Sequence, residues 1–276
     1  MQLTPSEIAD FQATVWDYFQ HHARAMPWRD TPSPYFVMVS ELMLQQTQVS
    51  RVIPKFEAFI AAFPDIQSLA QASLADVLQQ WSGLGYNRRA QFLHRAAQQV
   101  VAGGGGMPTA LTGLVALPGI GPNTAGAIMN YAYDQPTVFI ETNIRTVYLH
   151  HFFADHDATV NDATLKDLVE QTQDGEQPRQ WYWALMDYGA YLKKTAGGRL
   201  DQSSHYKKQS PLSGSPREMR GRIIKQLTVA AQDESMLRQA VDADKRFLPA
   251  LQALQSEGLI EQRNSQWCLT GYKQAS

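Results

Sequence analysis

Apolar residues recur along most of this chain at the three- and four-residue steps of an amphipathic helix. Near the N-terminus, one such face consists of Ile8, Phe11, Val15 and Phe19. Before residue 255, no segment alternates apolar and polar residues over the length of a β-strand. The pattern therefore predicts a mostly helical protein, with helices over residues 6–24, 35–49, 53–63, 74–81, 88–101, 111–115, 124–133, 144–152, 162–173 and 180–191.

The last part of the chain has a pattern of its own. Its apolar spacing predicts helices over residues 217–231, 236–241 and 245–256, and residues 259–269 then predict a strand, a polar turn and a second strand. Three helices followed by a β-hairpin is the order of a winged helix, and a plain packing module is the alternative. The preceding residues 195–216 are rich in glycine, serine and lysine, which is typical of a loop.

Composition narrows the class of protein. The chain has 276 residues, of which 44% are hydrophobic, and its one cysteine, Cys268, excludes an intramolecular disulfide framework. We find no apolar run of ~18 residues that would span a bilayer. The first residues also lack the pattern of a signal peptide. These features favour a cytoplasmic protein without a membrane partner.

The net charge of −2 is not typical of a DNA-binding protein, but basic residues cluster locally. Residues 193–225 include nine basic residues and only two acidic ones, Asp201 and Glu218. A smaller basic group consists of Arg88, Arg89 and Arg95. Such patches can contact phosphates, and a solvated linker is the alternative for the longer one. The basic residues of the longer patch are Lys193, Lys194, Arg199, Lys207, Lys208, Arg217, Arg220, Arg222 and Lys225.

Residues 117–125 have the sequence Leu-Pro-Gly-Ile-Gly-Pro-Asn-Thr-Ala. Gly119 and Gly121 allow a tight turn, and Pro122 suits the first position of the helix that follows. The backbone N–H groups at such a helix start suit a phosphate oxygen. The segment lacks the ending of a P-loop and the third glycine of a dinucleotide-binding fingerprint. It therefore indicates the hairpin of a helix-hairpin-helix element, with an ordinary helix–helix turn as the alternative.

Two carboxylates are candidates for chemistry. Glu141 interrupts the apolar residues 138–147, and the alternative is an acid that favours the dipole of a helix start. Upstream, Glu41, Gln45 and Gln48 would share one face of a helix. A carboxylate with two amides could read a base edge or protonate a leaving group, and a solvated polar face is the alternative.

These segments, with Pro27-Trp28-Arg29 and Gly83-Leu84-Gly85-Tyr86, resemble the helix-hairpin-helix (HhH-GPD) DNA glycosylase superfamily in their order and spacing. The resemblance covers residues 10–195 and is greatest to the adenine DNA glycosylase branch. It implies an all-α fold: a two-lobed helical core with a small C-terminal winged-helix-like domain. The implied domains are a glycosylase domain over 1–194 with its cleft between two helical lobes, a basic loop over 195–216, and the winged-helix-like domain over 217–276.

The resemblance also implies site residues. Glu41 matches the proton donor to the leaving base, and Glu141 matches the position that stabilises the sugar cation. Trp28, Arg29 and Asn123 match base-pocket positions. Superfamily hairpins often hold a monovalent cation on backbone carbonyls, here near Leu117 and Gly119. The implied DNA-binding residues are Gln45, Gln46, Gln48, Tyr86 as a wedge in the duplex, Arg88, Gly119, Gly121, Thr124, Lys207 and Lys208.

The chain departs from the family in several places. Family members have an aspartate at the position of Glu141 and four cysteines after the segment matching residues 186–190. Here Lys193 occupies the first of those cysteine positions, and a 4Fe–4S cluster needs about four thiolates. We therefore expect no cluster and no other cofactor. Asn123 replaces the Schiff-base lysine of the lyase branch, which predicts a monofunctional enzyme. The residues after 216 are too few for the Nudix-like domain with which full-length members read 8-oxoguanine.

The expected function is base excision repair by a glycosylase that acts as a monomer at the nucleoid. Its partner is double-stranded DNA with a mismatch or lesion, most simply adenine opposite guanine or 8-oxoguanine. The alternatives are another target, such as uracil or thymine opposite guanine, and a non-catalytic DNA-structure binder. In the tail, we expect Lys245, Arg246 and Arg263 to contact phosphates rather than bases.

Overall fold

The computed structural model describes residues 1–154, 159–204 and 211–272. Helices dominate these residues, which confirms the predicted helical fold. The chain divides into two compact units, and each unit consists of three separate segments. The first unit comprises Met1–Val37, Thr109–Ala116 and Ile120–Lys208; the second comprises Met38–Pro108, Leu117–Gly119 and Gln209–Ser276.

The first unit has an aromatic core. Phe11 lies within 6.0 Å, between ring centroids, of the rings of Tyr148, Phe152 and Trp181. Its elements are α1 (Pro5–His22), α2 (Pro27–Asp30), α8 (Leu111–Val115), α9 (Pro122–Tyr131), α10 (Thr142–Phe152), α11 (Asp162–Thr172), α12 (Pro178–Thr195) and a 3-10 turn (Leu200–Gln202). Helix α3 (Pro34–Leu44) begins in this unit and continues into the second.

The second unit packs its helices around Phe59, Leu69, Leu78 and Trp81, all of which are buried. Its elements are the end of α3, α4 (Val49–Ala62), α5 (Ile66–Gln71), α6 (Leu74–Trp81), α7 (Arg88–Ala102), α13 (Pro216–Leu227), α14 (Glu234–Ala240), α15 (Phe247–Ser256), β1 (Ile260–Arg263) and β2 (Gln266–Leu269).

The C-terminal segment has the predicted order of three helices and a hairpin. Strands β1 and β2 are antiparallel, and Asn264 and Ser265 between them both have positive φ, as a type I′ turn requires. Gln232 exchanges two backbone hydrogen bonds with Trp267 and so adds a third extended segment to the hairpin. Helix α13 is shorter than expected and ends at Leu227 rather than at residue 231.

The compact units do not follow the boundary near residue 216 that the loop-like composition suggested. Residues 209–276 belong to the same unit as residues 38–108. One contact that joins these two segments is made by Gln91 of α7. Its side-chain amide donates to the backbone oxygens of Glu257 and Gly258 at 2.9 and 3.2 Å. Strand β2 also packs against α6. The C-terminal segment is thus part of a larger core.

Local sequence signals account for several helix ends. Ser73 caps α6, since Ser73 and Asp76 form a reciprocal capping box. The short helices α2 and α5 were not predicted, although Asp65 and Ser68 form the same kind of box at the start of α5. Among the described residues, no helix combines the length and the apolar character that crossing a membrane requires.

Candidate active site

The hairpin turn leads directly into α9. Gly119 has φ of +78°, and a Cβ atom built on it would lie 2.6 Å from Cβ of Phe92, so only glycine fits there. Pro122 is the first residue of α9, as predicted for this proline, and Gly121 is the N-cap, so that the helix begins two residues before the predicted start at residue 124. The first helical hydrogen bond runs from the Ala125 N–H to the Gly121 carbonyl, at 2.9 Å. The preceding N–H groups have no acceptor within α9, which is the arrangement that suits a phosphate oxygen; that they bind phosphate stays a prediction.

Glu141 lies at the start of α10, close to the hairpin helix. It is the N-cap residue, with extended backbone angles, but its side chain makes no capping hydrogen bond. The Asn123 amide donates to the backbone oxygen of Ile140 at 3.1 Å. This bond ties the first turn of α9 to the residue before Glu141. Asn123 therefore has a positioning contact that its sequence match did not reveal.

The Glu141 carboxylate lies in a half-buried position. Burial raises its pKa above the ordinary glutamate value, and the cation of Arg145 acts in the opposite direction. Arg145 is itself held by Asp162, with Nη2 at 2.9 and 2.8 Å from the two carboxylate oxygens. Glu141 is therefore more than a capping acid: it is a half-buried carboxylate beside the cation of Arg145 at a helix start.

Helix α12 supports this helix start through Gly189. A Cβ atom on Gly189 would overlap the backbone oxygen of Asn143, so α12 packs directly against the first turn of α10. The neighbouring Asp187 is buried and accepts two hydrogen bonds from Arg29, at 2.8 and 2.9 Å, and one from Nε of Arg24 at 2.7 Å. Sequence reasoning missed Asp187, although an aspartate among the apolar positions of a predicted helix is a usable signal.

Trp28 and Arg29, which were predicted to line a base pocket, both lie in the short helix α2 and contribute to its packing. Trp28 is buried in α2, with 7% of its surface exposed. The Arg29 guanidinium lies 5.3 Å from the ring centroid of Trp183 as well as on Asp187. These contacts hold the short helix α2 to α12, and a role in a base pocket stays a prediction.

Glu41 is half-buried near the end of α3, next to buried Leu42 and Met43. The predicted stripe of Glu41, Gln45 and Gln48 on one helical face is wrong, because α3 ends at Leu44. Gln46 has φ of +54°, and Gln48 is the N-cap of the next helix, α4. The three glutamines at positions 45, 46 and 48 are exposed and lie in or next to the turn after the catalytic candidate.

A single arginine fixes this turn. Nη1 of Arg89 donates to the backbone oxygens of Leu42 and Gln45, both at 2.6 Å, and Nη2 donates to that of Gly85 at 3.2 Å. Burial lowers the pKa of Arg89 to about 10, which leaves it charged at neutral pH. The grouping of Arg89 with a phosphate-binding patch is therefore wrong. It joins the end of α3 to the Gly-Leu-Gly-Tyr turn, a role that no local pattern signals.

Tyr86, the predicted wedge, is exposed and firmly held. It has φ of +48°, and its ring centroid lies 5.5 Å from the Arg89 guanidinium and 5.6 Å from that of Arg217. Nη1 of Arg217 also donates to the Tyr86 hydroxyl at 2.6 Å. Next to it, the exposed Arg88 lies 5.3 Å from the ring centroid of Phe92. The Tyr86 ring is thus exposed and lies among cations, and its role as a wedge in the duplex stays a prediction.

The remaining residues that were predicted to contact phosphate are either outside the described part of the chain or paired with carboxylates. Lys207 and Lys208 lie outside the described residues. Arg246 pairs with Asp244 and Glu218, at 2.6 and 2.8 Å, and these carboxylates raise its pKa. Arg263 pairs with Glu261 at 2.8 Å.

Among the described residues, no group of three or more histidine, cysteine or acidic side chains lies close enough together to hold a metal ion, and Cys268 is buried in β2.

Residues 39–171 match the family of HhH-GPD superfamily base excision DNA repair proteins, and this segment of the chain belongs to that superfamily. The matched range contains the hairpin and both candidate carboxylates. Within the superfamily, the chain is 38% identical over 200 residues to the adenine DNA glycosylase of Mus musculus, covering 67% of this chain and 39% of that protein.

A bacterial relative gives a similar result. The chain is 32% identical over 188 residues to the adenine DNA glycosylase of Buchnera aphidicola subsp. Baizongia pistaciae, covering 66% of this chain and 52% of that protein. The match thus spans about half or less of these relatives' length. The solved structure of a thermostable thymine-DNA glycosylase has the same fold, with a TM-score of 0.61, 23% identity, and coverage of 67% of this chain and 87% of that one.

Proposed function

We propose that this protein is a monofunctional DNA glycosylase of base excision repair. It hydrolyses the N-glycosidic bond of a mispaired base in double-stranded DNA, namely adenine opposite guanine or 8-oxoguanine. The observation that carries the proposal is the position of Glu141 at the start of α10, where its side chain does not cap the helix and the Asn123–Ile140 hydrogen bond ties it to the hairpin helix. The similarity to adenine DNA glycosylases over two thirds of the chain supports adenine as the base.

Each carboxylate has a separate task. Glu41 donates a proton to the purine, which then leaves with the electrons of the glycosidic bond as a neutral base. The sugar becomes an oxocarbenium ion, and the negative charge of Glu141 stabilises it. Water adds its hydroxyl group to C1′ and releases one proton, so that an abasic site remains. Asn123 has no amine and cannot form an imine with this sugar, which leaves strand cleavage to another enzyme.

The exposed groups of the two units supply the DNA contacts. The target base must leave the base stack before an acid can reach it, and Tyr86 is the side chain that takes part of its place. Arg88 contacts the nearby backbone through its charge. The N–H groups at the start of α9, at Gly121 and Thr124, bind a phosphate. The protein binds one such site as a monomer.

A panel of duplexes tests this proposal. Each duplex contains one altered pair: adenine opposite 8-oxoguanine or guanine, or uracil or thymine opposite guanine, with adenine opposite thymine as the control. Abasic sites are revealed by hot alkali, because the enzyme itself should not cut the strand. Release of adenine from the first two duplexes supports the proposal. Release of uracil or thymine would assign another target, and binding without release would indicate a non-catalytic DNA binder.

A further inference from the structure

Glu141 and Arg145 have the spacing at which opposite charges pair along a helix. Glu141 is the N-cap of α10, and the N–H of Arg145, one turn further on, donates to its carbonyl oxygen at 2.9 Å. A glutamate four residues before a basic residue commonly forms an ion pair with it. Among the described residues, however, Arg145 forms an ion pair with Asp162 and none with Glu141. A pair between two helices thus replaces the pair expected within α10.

Asp162 binds the Arg145 guanidinium through both of its carboxylate oxygens. Nε and Nη2 of Arg145 donate to Oδ1 at 3.2 and 2.9 Å, and Nη2 also donates to Oδ2 at 2.8 Å. The Arg145 side chain is 11% exposed and that of Asp162 is 25% exposed, so water screens the pair only in part. Hydrogen bonds between two charged groups are the strong ones in proteins. They hold the guanidinium against the start of α11.

Asp162 is anchored independently of α10. It is the first residue of α11, and the side chain of Asn161 caps that helix. Val160, just before the cap, forms two backbone hydrogen bonds with residues 202–204, at 2.8 and 3.2 Å. The position of the Arg145 guanidinium is therefore set by α11 and the turn beyond α12, not by Glu141.

This arrangement leaves the charge of Glu141 available for chemistry. The Glu141 side chain is half-buried and makes no capping hydrogen bond. A group stabilises a developing charge when it is aimed at that charge before the reaction begins. An arginine bonded directly to Glu141 would offset the negative charge that a sugar cation needs. Arg145 acts on Glu141 only from the place in which Asp162 holds it.

We propose that Asp162 is a positioning residue for base release: by holding Arg145, it prevents an ion pair between Arg145 and Glu141 and keeps the Glu141 carboxylate available to the sugar cation. This inference rests on the proposed function, in which Glu141 has that task. It involves neither the DNA contacts nor the leaving base, so it predicts an effect on the rate of release and not on affinity.

The first test compares rate with affinity. The substrate is a duplex with adenine opposite 8-oxoguanine, and affinity is measured on the same duplex with a 2′-fluoro adenine nucleotide, which resists release. In D162N, Arg145 can turn to Glu141. We expect the single-turnover rate to fall roughly 10- to 150-fold, the factor that one hydrogen bond to a charged group provides, with little change in Kd. D167N makes the same change at an exposed position of α11 and should alter neither quantity.

Removal of the arginine as well should restore activity. R145Q/D162N has no cation to pair with Glu141, so it should release base faster than D162N although it carries one more substitution. If the pair only held the fold together, the second substitution would not raise the rate. D162S, whose side chain also cannot hold the guanidinium, should behave as D162N does. Thermal unfolding checks that each variant is folded.

A stability measurement tests the same contact without catalysis. E141Q removes a half-buried charge that has no ion pair with a described residue, so it should raise the free energy of unfolding of the wild type at pH 7. In the D162N background, the same change removes a paired charge, and the gain should shrink or reverse. Urea unfolding of the wild type, both single variants and E141Q/D162N gives the two differences.

Three outcomes would overturn the inference: a D162N enzyme with the wild-type rate, an R145Q/D162N enzyme no faster than D162N, or an equal effect of E141Q on stability in the two backgrounds. If the wild type releases no base from any duplex, the proposed function fails, and urea unfolding still decides whether Asp162 keeps Arg145 from Glu141. A wild type that releases base, together with an unchanged rate in D162N, rejects the inference alone.

Discussion

At the residue scale, Glu141 carries a stability cost that can be measured. Its folded-state pKa is raised by burial above the unfolded value of about 4.3, so the native state is favoured below that value and loses stability as pH rises through the folded pKa. E141Q removes the charge and should therefore be more stable than the wild type at pH 7, by a margin that shrinks towards pH 4. Urea unfolding at both pH values measures this margin.

E141D is the control for that prediction, because it retains the charge and should retain some base release. E141Q itself should release no base. A margin that does not change between pH 4 and pH 7, or an E141Q enzyme with full activity, would show that Glu141 is merely a charge at a helix start.

Glu41 should be needed for chemistry and not for binding. We expect E41Q to reduce the single-turnover rate of base release by about 10²–10⁴-fold, the usual contribution of a general acid, with little change in Kd for the mismatched duplex. E57Q, which changes an exposed glutamate on α4, is the matched control and should leave both quantities unchanged. Release by E41Q at the wild-type rate would place the proton donor elsewhere.

At the scale of the elements, sequence reasoning succeeds where the signals are local. Pro122 was correctly predicted to begin the helix after the hairpin, and Gly121 to lie in the turn before it. The end of α3 was missed because its carbonyl groups are bound by Arg89, which lies more than forty residues away. The hydrogen-bonded ion pair of Arg220 and Glu257 is equally non-local and leaves no signal in the sequence.

R89K should destabilise the second unit even though it keeps the charge. A lysine has no planar fork, so it cannot reach the carbonyl oxygens of both α3 and the Tyr86 turn, and some of these buried groups would lose their partner. We expect the free energy of unfolding to fall by about 3 kcal/mol. R88K, at the exposed neighbouring position, should change it little, and equal stability of the two variants would contradict the role given to Arg89.

At the scale of the whole molecule, the purified protein should be colourless and free of stoichiometric iron. The chain has one cysteine, and Cys268 is buried in β2 with its thiol directed to the backbone oxygen of Glu261 at 3.7 Å. Absorbance near 400 nm and iron analysis measure this directly. Reconstitution under reducing conditions that yielded four irons per chain would refute it.

The discontinuous make-up of the two units has a consequence for synthesis on the ribosome. Residues 38–108 emerge early, but the segment 209–276 that completes their core follows a hundred residues later. Until then, the Gln91 amide has no backbone oxygen of Glu257 or Gly258 to bind. The nascent chain consequently exposes apolar helix faces through most of translation, the period in which chaperones and proteases compete for it.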